Sequence, residues 1–168
     1  MRKFEFEILG MGMKDRDYAG SFTKPVRDII KSHINGRTLH LYSGCSLLGD
    51  ERIDIANNSA TQNMSVLDFI LNDKRNWDWV ILDPPYNLSE RTKQLLNYAN
   101  ACPLSVDVKA RRLLKSYFQE HTDNILWLDI CAPVIRGFYR EKLWLLLPGG
   151  FHPVRVLSWL KREMKPLL

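Results

Sequence analysis

Residues 77–86 carry the sequence Trp-Asp-Trp-Val-Ile-Leu-Asp-Pro-Pro-Tyr, and this stretch decides the interpretation of the whole chain. Its apolar part, residues 77–82, is typical of a strand that is buried on both faces of a sheet. The strand has to end before Pro84 and Pro85, because proline has no N–H to donate to a neighbouring strand. The segment therefore predicts a buried strand that delivers an acid, two rigid prolines and an aromatic ring to one edge of a sheet.

Similar apolar runs bounded by turn residues recur along the chain. They predict five further strands, and the segments between them predict three helices: strands over residues 38–42, 52–55, 124–129, 142–147 and 154–160, and helices over residues 24–34, 89–99 and 105–119. This alternation favours a doubly wound α/β domain with a mostly parallel, Rossmann-like sheet. Gly149-Gly150 predicts a C-terminal hairpin whose last strand is antiparallel to its neighbour.

Length and composition exclude several classes of protein. A chain of 168 residues corresponds to about one domain, so we expect a single domain over residues 1–168. No apolar run approaches the ~18 residues of a membrane span, and the N-terminus has no signal-peptide core, so we expect a cytoplasmic protein. The three cysteines are far apart and the four histidines lack metal-ligand spacing, so neither a disulfide framework nor a metal site is expected.

The charge is distributed unevenly. Residues 1–108 contain 13 basic and 14 acidic side chains, whereas residues 109–168 contain 11 basic and 5 acidic ones. A basic excess in the last third suits an anionic partner such as nucleic acid. The sequence pI of about 9.2 is also compatible with a protein that has no such partner.

The acid and the prolines after the predicted buried strand suggest a specific chemistry. The Asp83 carboxylate and the Pro84 carbonyl form a rigid pair of acceptors that could take both hydrogens of a nucleobase amine, while Tyr86 stacks on the base. Two acceptors localise the lone pair of a conjugated amine, which could then attack a methyl donor. Alternatively, Pro84 and Pro85 only stiffen the loop and Tyr86 only packs, but the position directly after a buried strand favours the chemical interpretation.

The sequence Asp83-Pro84-Pro85-Tyr86 resembles the motif of the S-adenosylmethionine-dependent amino methyltransferases, which include adenine and cytosine DNA methylases and some ribosomal RNA methylases. The resemblance implies a class I methyltransferase-like fold and a catalytic role for these four residues. Residues 38–46 are similar to the family's glycine-rich cofactor loop, and residues 22–25 are similar to its Lys-Pro motif. The cofactor residues implied in this way are Lys24, Pro25, Tyr42, Ser43, Gly44, Cys45, Ser46, Asp54, Ser65 and Phe69.

Some of these residues have a more specific implied role, and some positions depart from the family's pattern. Asp54 is placed like the acid that binds the cofactor ribose, Ser65 stands at the position of a further cofactor acid, and Phe69 could wall the cofactor adenine. His40 replaces a usual acid and Ser46 replaces the second glycine. The eight positions from Ser46 to Asp54 are too few for the usual helix and predict a tight loop.

The resemblance implies transfer of a methyl group from S-adenosylmethionine to an exocyclic nucleobase amine, with adenine N6 in DNA as the favoured target. Asp54 and Asp83 are 29 positions apart and 82 residues follow Tyr86, which leaves no room for a separate target-recognition domain. The enzyme would therefore recognise little sequence by itself, read it from a few loops, or rely on a separate specificity subunit or a homodimer partner. Methylation of an RNA amine and a non-catalytic relative that binds only cofactor or nucleic acid remain alternatives, whereas Asp83 argues against methylation of a protein glutamine.

Overall fold

The computed structural model describes residues 4–10, 22–56, 58–85, 104, 107–148 and 153–163. These residues form one eight-stranded sheet with three helices. In chain order the elements are β1 (Glu5–Gly10), α1 (Lys24–His33), β2 (Thr38–Leu41), β3 (Glu51–Asp54), β4 (Gln62–Asn63), α2 (Val66–Asn72), β5 (Trp77–Leu82), α3 (Val108–His121), β6 (Thr122–Asp129), β7 (Phe138–Leu147) and β8 (Arg155–Arg162). Among the described residues, no helix is long and apolar enough to cross a membrane.

The strand order across the sheet is β1-β7-β8-β6-β5-β2-β3-β4. Strand β8 runs antiparallel to both of its neighbours, and all other pairs are parallel. Because β2 lies between β3 and β5, the chain first extends the sheet to one side of β2 and later to the other. The carboxyl ends of β2, β3, β5 and β6 therefore share one edge of the sheet, and the first residue of β8 reaches the same edge.

The predicted doubly wound, Rossmann-like α/β fold of the class I methyltransferase type is wrong. Strands account for 39% and helices for only 25% of the described residues, and the sheet is mixed. The physical reason lies in the connections between strands. Residues 42–50 join β2 to β3 and residues 130–137 join β6 to β7 without a helix, so the chain does not alternate regularly between strand and helix.

Most of the local predictions are confirmed. The strand predicted over residues 77–82 has the bounds of β5, and the other five predicted strands overlap β2, β3, β6, β7 and β8. The helices predicted over residues 24–34 and 105–119 overlap α1 and α3, and the tight loop before β3 contains no helix. Strands β1 and β4 and helix α2 were not predicted. The helix predicted over residues 89–99 and the Gly149-Gly150 turn lie outside the described residues.

Both faces of the sheet carry a buried apolar layer. On one face α1 covers the central strands, and on the other face α2 and α3 cover them. The α1 layer includes Val26, Ile30, Trp79, Ile81, Leu126, Leu128 and Trp144. The α2 and α3 layer includes Leu39, Leu41, Phe69, Val80, Leu82, Leu114 and Phe118. From Trp79 to Leu82, alternate side chains of β5 enter opposite layers, which explains the continuous apolar run of residues 79–82.

A buried polar network attaches α3 to the start of β5. The Asp73 carboxylate accepts hydrogen bonds from the Trp77 indole (3.0 Å) and the Tyr117 hydroxyl (2.5 Å). The Arg75 guanidinium donates to Asp73 and to Glu51, with a distance of 2.9 Å to Glu51. These bonds lower the pKa of Asp73 despite the opposing effect of burial, so its carboxylate stays ionised. The network fixes the amino end of the sheet, opposite to the edge described above.

His40 is fully buried in the middle of β2. Its ring stacks on Phe22 with a centroid distance of 5.5 Å, and its Nδ1 lies 3.1 Å from the Leu48 carbonyl oxygen. Because a carbonyl only accepts, Nδ1 carries the hydrogen. Gly49 has a φ of +93°, and a Cβ there would lie 3.3 Å from the His40 Cβ, so the loop can cover the histidine only with glycine at this position. Burial lowers the pKa of His40 to about 4.

This burial predicts a loss of stability in acid. The unfolded chain protonates His40 below about pH 6.5, whereas the folded chain protonates it only below about pH 4. Between these values the unfolded state binds more protons, so the free energy of unfolding should fall by about 3 kcal/mol as the pH drops from 6.5 to 4. Urea denaturation of the wild type and of His40→Asn should show this additional loss in the wild type alone. Equal pH slopes for the two proteins would contradict the assignment.

Candidate active site

Three acids and one arginine lie at the edge where the parallel strands end. Asp54 is the last residue of β3, Asp83 follows β5, and Asp129 is the last residue of β6. Arg155 begins β8, which reaches this edge because it runs in the opposite direction. Asp54 and Asp83 were predicted from the sequence, whereas Asp129 and Arg155 were not. Asp129 carried the same signal as Asp83, an acid at the end of an apolar run.

Asp54 holds the loop that was predicted to bind the cofactor. Its buried carboxylate accepts hydrogen bonds from the backbone N–H of Gly44 (2.9 Å) and of Ala56 (3.0 Å). Tyr42 and Gly44 have φ values of +57° and +52°, a backbone conformation that is unusual for tyrosine. The loop after β2 is therefore sharply bent, and Asp54 ties it to the end of β3.

In the segments predicted to bind the cofactor, two hydroxyls are buried and have no hydrogen-bond partner among the described residues. They belong to Thr23, which precedes α1, and to Ser43. Ser46, by contrast, is engaged within the loop, because its hydroxyl accepts from the Leu48 N–H at 3.2 Å. Cys45 is half-buried, and burial raises the pKa of its thiol. Unpartnered buried hydroxyls are costly, so Thr23 and Ser43 fit a polar ligand group in the predicted cofactor loop.

The remaining predicted cofactor residues have structural partners. Lys24 is exposed and pairs with Asp28 at 2.7 Å, and Pro25 occupies the first turn of α1. Ser65 caps α2 by accepting a hydrogen bond from the Leu67 N–H at 3.2 Å. Phe69 is buried in the core, with the Arg75 guanidinium 5.5 Å above its ring. The structure thus places Ser65 and Phe69 in roles that support α2.

Asp83 differs from the other two acids of the edge. It is half-buried and its backbone N–H faces the Leu41 carbonyl oxygen at 3.5 Å, but no described residue donates a hydrogen bond to its carboxylate. Asp129 is buried and accepts from the Trp127 indole (3.1 Å) and the Ile130 N–H (2.7 Å). Asp83 is therefore the edge acid whose carboxylate accepts no hydrogen bond from the described part of the chain.

The electrostatic surroundings of Asp83 favour its protonated form. Burial raises the pKa of Asp83 to about 7, the charge of Asp129 also raises it, and the charge of Arg155 acts in the opposite direction. Pro84 is buried and Pro85 is half-buried, so the segment after β5 is held close to the core. Tyr86, the fourth residue of the motif, lies outside the described residues. A carboxyl that titrates near neutral pH in a strand-end site is typical of functional sites.

The first turn of α3 is docked on this segment. The Pro85 carbonyl accepts from the Leu104 N–H at 3.1 Å, and the Leu104 carbonyl accepts from the Arg111 guanidinium at 3.0 Å. The charges of Arg111 and Lys115 lower the pKa of Cys131, although burial raises it more, so these two basic groups lie near the end of β6. The basic side of α3 therefore borders the edge that carries Asp83.

No protein-family model matches the chain, and no curated protein sequence matches it. Within the described ranges, no cluster of three or more His, Cys, Asp or Glu side chains is arranged to hold a metal ion.

The hydrogen bonds of Asp54 predict a structural effect of its removal. Asp54→Ala leaves the N–H groups of Gly44 and Ala56 without their charged acceptor, so the free energy of unfolding should fall by about 2–4 kcal/mol. Asp68→Ala, at an exposed acid of α2, should cost less than about 1 kcal/mol. Chemical denaturation measures both values. A loss for Asp54→Ala no larger than that of the control would show that Asp54 does not hold the loop.

Proposed function

We propose that this protein is an S-adenosylmethionine-dependent methyltransferase that methylates an exocyclic amine of a nucleobase, with N6 of adenine in DNA as the first substrate to test. The observation that carries the proposal is the Asp83 carboxylate, which is half-buried and receives no hydrogen bond from the described residues. It stands in the Asp-Pro-Pro-Tyr sequence, at the edge where β2 and β5 end together. In parallel sheets, ligands bind outside the carboxyl ends of the strands, where the strand order reverses.

Asp83 would act as the acceptor for the substrate amine. With its pKa at about 7, its carboxyl is about half ionised at neutral pH, and the ionised form accepts an N–H hydrogen bond. The Pro84 carbonyl would accept the second N–H. The nitrogen becomes cationic when it gains a methyl group and must then lose a proton. Asp83 can take this proton, since a base with a pKa near the working pH is efficient.

The loop after β2 is the proposed cofactor site. Its left-handed turn at Tyr42 and Gly44 fits a ligand with a polar amino-acid group. The hydroxyls of Ser43 and Thr23, which have no hydrogen-bond partner within the described ranges, fit the same kind of group. S-adenosylmethionine would supply an electrophilic methyl group there. The bonds from Asp54 to Gly44 and Ala56 would keep the loop in its bent form before the ligand arrives.

A nucleic acid is the proposed partner because basic side chains border the site. Arg111 and Lys115 lie near the end of β6, and Lys109 and Arg112 are exposed on the same helix. Such a row can contact phosphates and position a strand without reading its sequence. A base in a duplex would have to leave its stack to reach Asp83. We propose that a separate specificity subunit or a second copy of the chain supplies further contacts.

The role of Asp83 predicts a selective loss of turnover. Asp83→Asn and Asp83→Ala should lower methyl transfer by at least about a hundredfold, because the acceptor acts mainly in the transition state. Calorimetry should show cofactor affinity within a few fold of the wild type. Transfer of a labelled methyl group to matched DNA and RNA strands gives the rates, with Asp123→Asn at an exposed acid as control.

The outcomes of this experiment separate the alternatives. Activity on RNA alone would replace DNA by RNA as the substrate, and cofactor binding without any transfer would indicate a non-catalytic binding protein. Full activity of Asp83→Ala would exclude the proposed mechanism.

Tyr86 is predicted to stack on the extruded base. Tyr86→Phe should retain most activity, because the aromatic face remains. Tyr86→Ala should lose about ten- to a hundredfold in kcat/KM, which corresponds to about 1–3 kcal/mol of stacking. Cofactor affinity and melting temperature should stay near the wild-type values in both variants. A Tyr86→Ala protein that is fully active, or that loses its fold, would remove the stacking role.

A further inference from the structure

Strand β1 forms one outer edge of the sheet. Among the described strands it pairs with β7 alone, in a parallel register that runs without a shift from Glu5 opposite Lys142 to Gly10 opposite Leu147. The backbone groups on its other side therefore have no strand to bond with in the described part of the chain. Such an edge can pair with a further strand, unless charges, a proline, a bulge or a very short length prevent it.

One face of β1 is acidic. Leu9 packs against the layer under α1, so Glu7 and Glu5, two and four residues earlier, lie on the same face of the sheet. The Lys142 ammonium lies 3.1 Å from the Glu7 carboxylate and 3.8 Å from the Glu5 carboxylate. Both glutamates are exposed. Because one ammonium serves two carboxylates, the ion pairs of the described residues leave an excess of negative charge on this face.

The other face of β1 is apolar and open to solvent. Phe6 is 67% exposed and Ile8 is 57% exposed, and Phe4 precedes them on the same face. Phe6 lies beside Leu143 and Ile8 beside Leu145 on β7, so the apolar surface continues onto the next strand. A strand added beside β1 would cover the outer side of this surface.

We propose that β1 is a docking edge for an extended segment of a partner protein in which lysine or arginine alternates with apolar residues. The backbone of the segment would pair with the free groups of β1, as in other complexes that extend a sheet. Side chains directly opposite each other on adjacent strands are about 4.5–5.5 Å apart at their Cβ atoms. The basic side chains of the segment would therefore pair with Glu5 and Glu7, and its apolar side chains would cover Phe6 and Ile8.

The charges favour a foreign segment over a second copy of the chain. Antiparallel pairing of β1 with the same strand of a second copy, about a two-fold axis at Phe6, would place Glu5 opposite Glu7. An axis at Glu7 would place Glu7 opposite itself. Like charges directly opposite each other destabilise a pair of strands. The acidic face also disfavours nucleic acid at this edge, because phosphates carry the same charge.

The rest of the sheet sets this edge apart. Strand β4, at the opposite end of the sheet, has only the two residues Gln62–Asn63 and is too short to offer a comparable edge. Strand β1 is separated from β5 by β7, β8 and β6, which corresponds to about 19 Å. A segment bound to β1 would extend the sheet away from Asp83, and this inference does not rest on the proposed function.

The test measures binding of a short labelled peptide, in which lysine alternates with valine, by fluorescence anisotropy. The wild type should bind it at least about fivefold more tightly than a peptide with glutamate in place of lysine, because the cross-strand charge pairs turn from attractive to repulsive. Glu5→Lys/Glu7→Lys should reverse this preference. Asp68→Lys/Glu120→Lys, which makes the same change in net charge at exposed positions of α2 and α3, should keep it.

Backbone pairing is tested with two methylated forms of the lysine–valine peptide. Methyl groups on the nitrogens of every second residue block one edge of an extended segment, and methyl groups on the intervening residues block the other edge. One form should bind at least about tenfold more weakly than the other, because only one edge of the segment faces β1. Equal affinities of the two forms would overturn the addition of a strand.

Two further outcomes decide between the occupants of the edge. An unchanged peptide preference in Glu5→Lys/Glu7→Lys overturns the proposal. A dimer of the wild type in sedimentation velocity that Phe6→Lys dissociates would make a second copy the occupant, which also overturns it. If the double glutamate variant does not fold, the preference of the wild type between the lysine and glutamate peptides and the methylated pair decide the question. Methyl transfer enters none of these measurements, so their failure leaves the proposed function standing.

Discussion

The parallel pairing of β2 with β5 is the constraint on which the rest of the structure depends. Thr38 to Leu41 lie in register with Trp79 to Leu82, and every one of these side chains is buried. This pairing joins β3 and β4 on one side to the five strands on the other side. It also brings the bent loop after β2 beside the acid after β5, so that a ligand in the loop and a ligand at Asp83 would be neighbours. Polar side chains at this edge are compatible with a stable fold, because the apolar layers of the core lie on the two faces of the sheet.

The sequence predicted the strands well where a local pattern sufficed. The apolar run of residues 77–82 and the prolines after it located both the central strand and its acidic end. The overall architecture was predicted wrongly, because the apolar pattern within a strand does not show how the chain connects one strand to the next. A loop of nine residues, 42–50, connects the parallel neighbours β2 and β3 without a helix. Because of such connections, the sheet is mixed and has few helices, instead of forming the expected doubly wound domain.

The candidate site, too, was predicted only in part from the sequence. Asp83 was found from its position after a buried strand, and the structure adds that its carboxylate is poorly solvated and lacks a donor among the described residues. Arg155 was missed because its place at this edge depends on the non-local pairing of β8 between β6 and β7. Asp129 was missed although it ends an apolar run as Asp83 does. His40 was noted as a departure from an acidic position, but only its stacking on Phe22 and its cover by Gly49 show that it serves as a neutral core residue.

The position of β8 has a consequence for the order in which the protein can be assembled on the ribosome. Within the sheet, β1 and β7 are connected to the other strands only through β8, which is the last of the described strands. Strands β2 to β6 can pair as they emerge, whereas β1 can join them only after β7 and β8 have been synthesised. Until then, the exposed apolar side chains of β1, Phe6 and Ile8, have no sheet to join. Loss of β8 would therefore separate β1 and β7, which form one end of the sheet, from the other five strands at the same time.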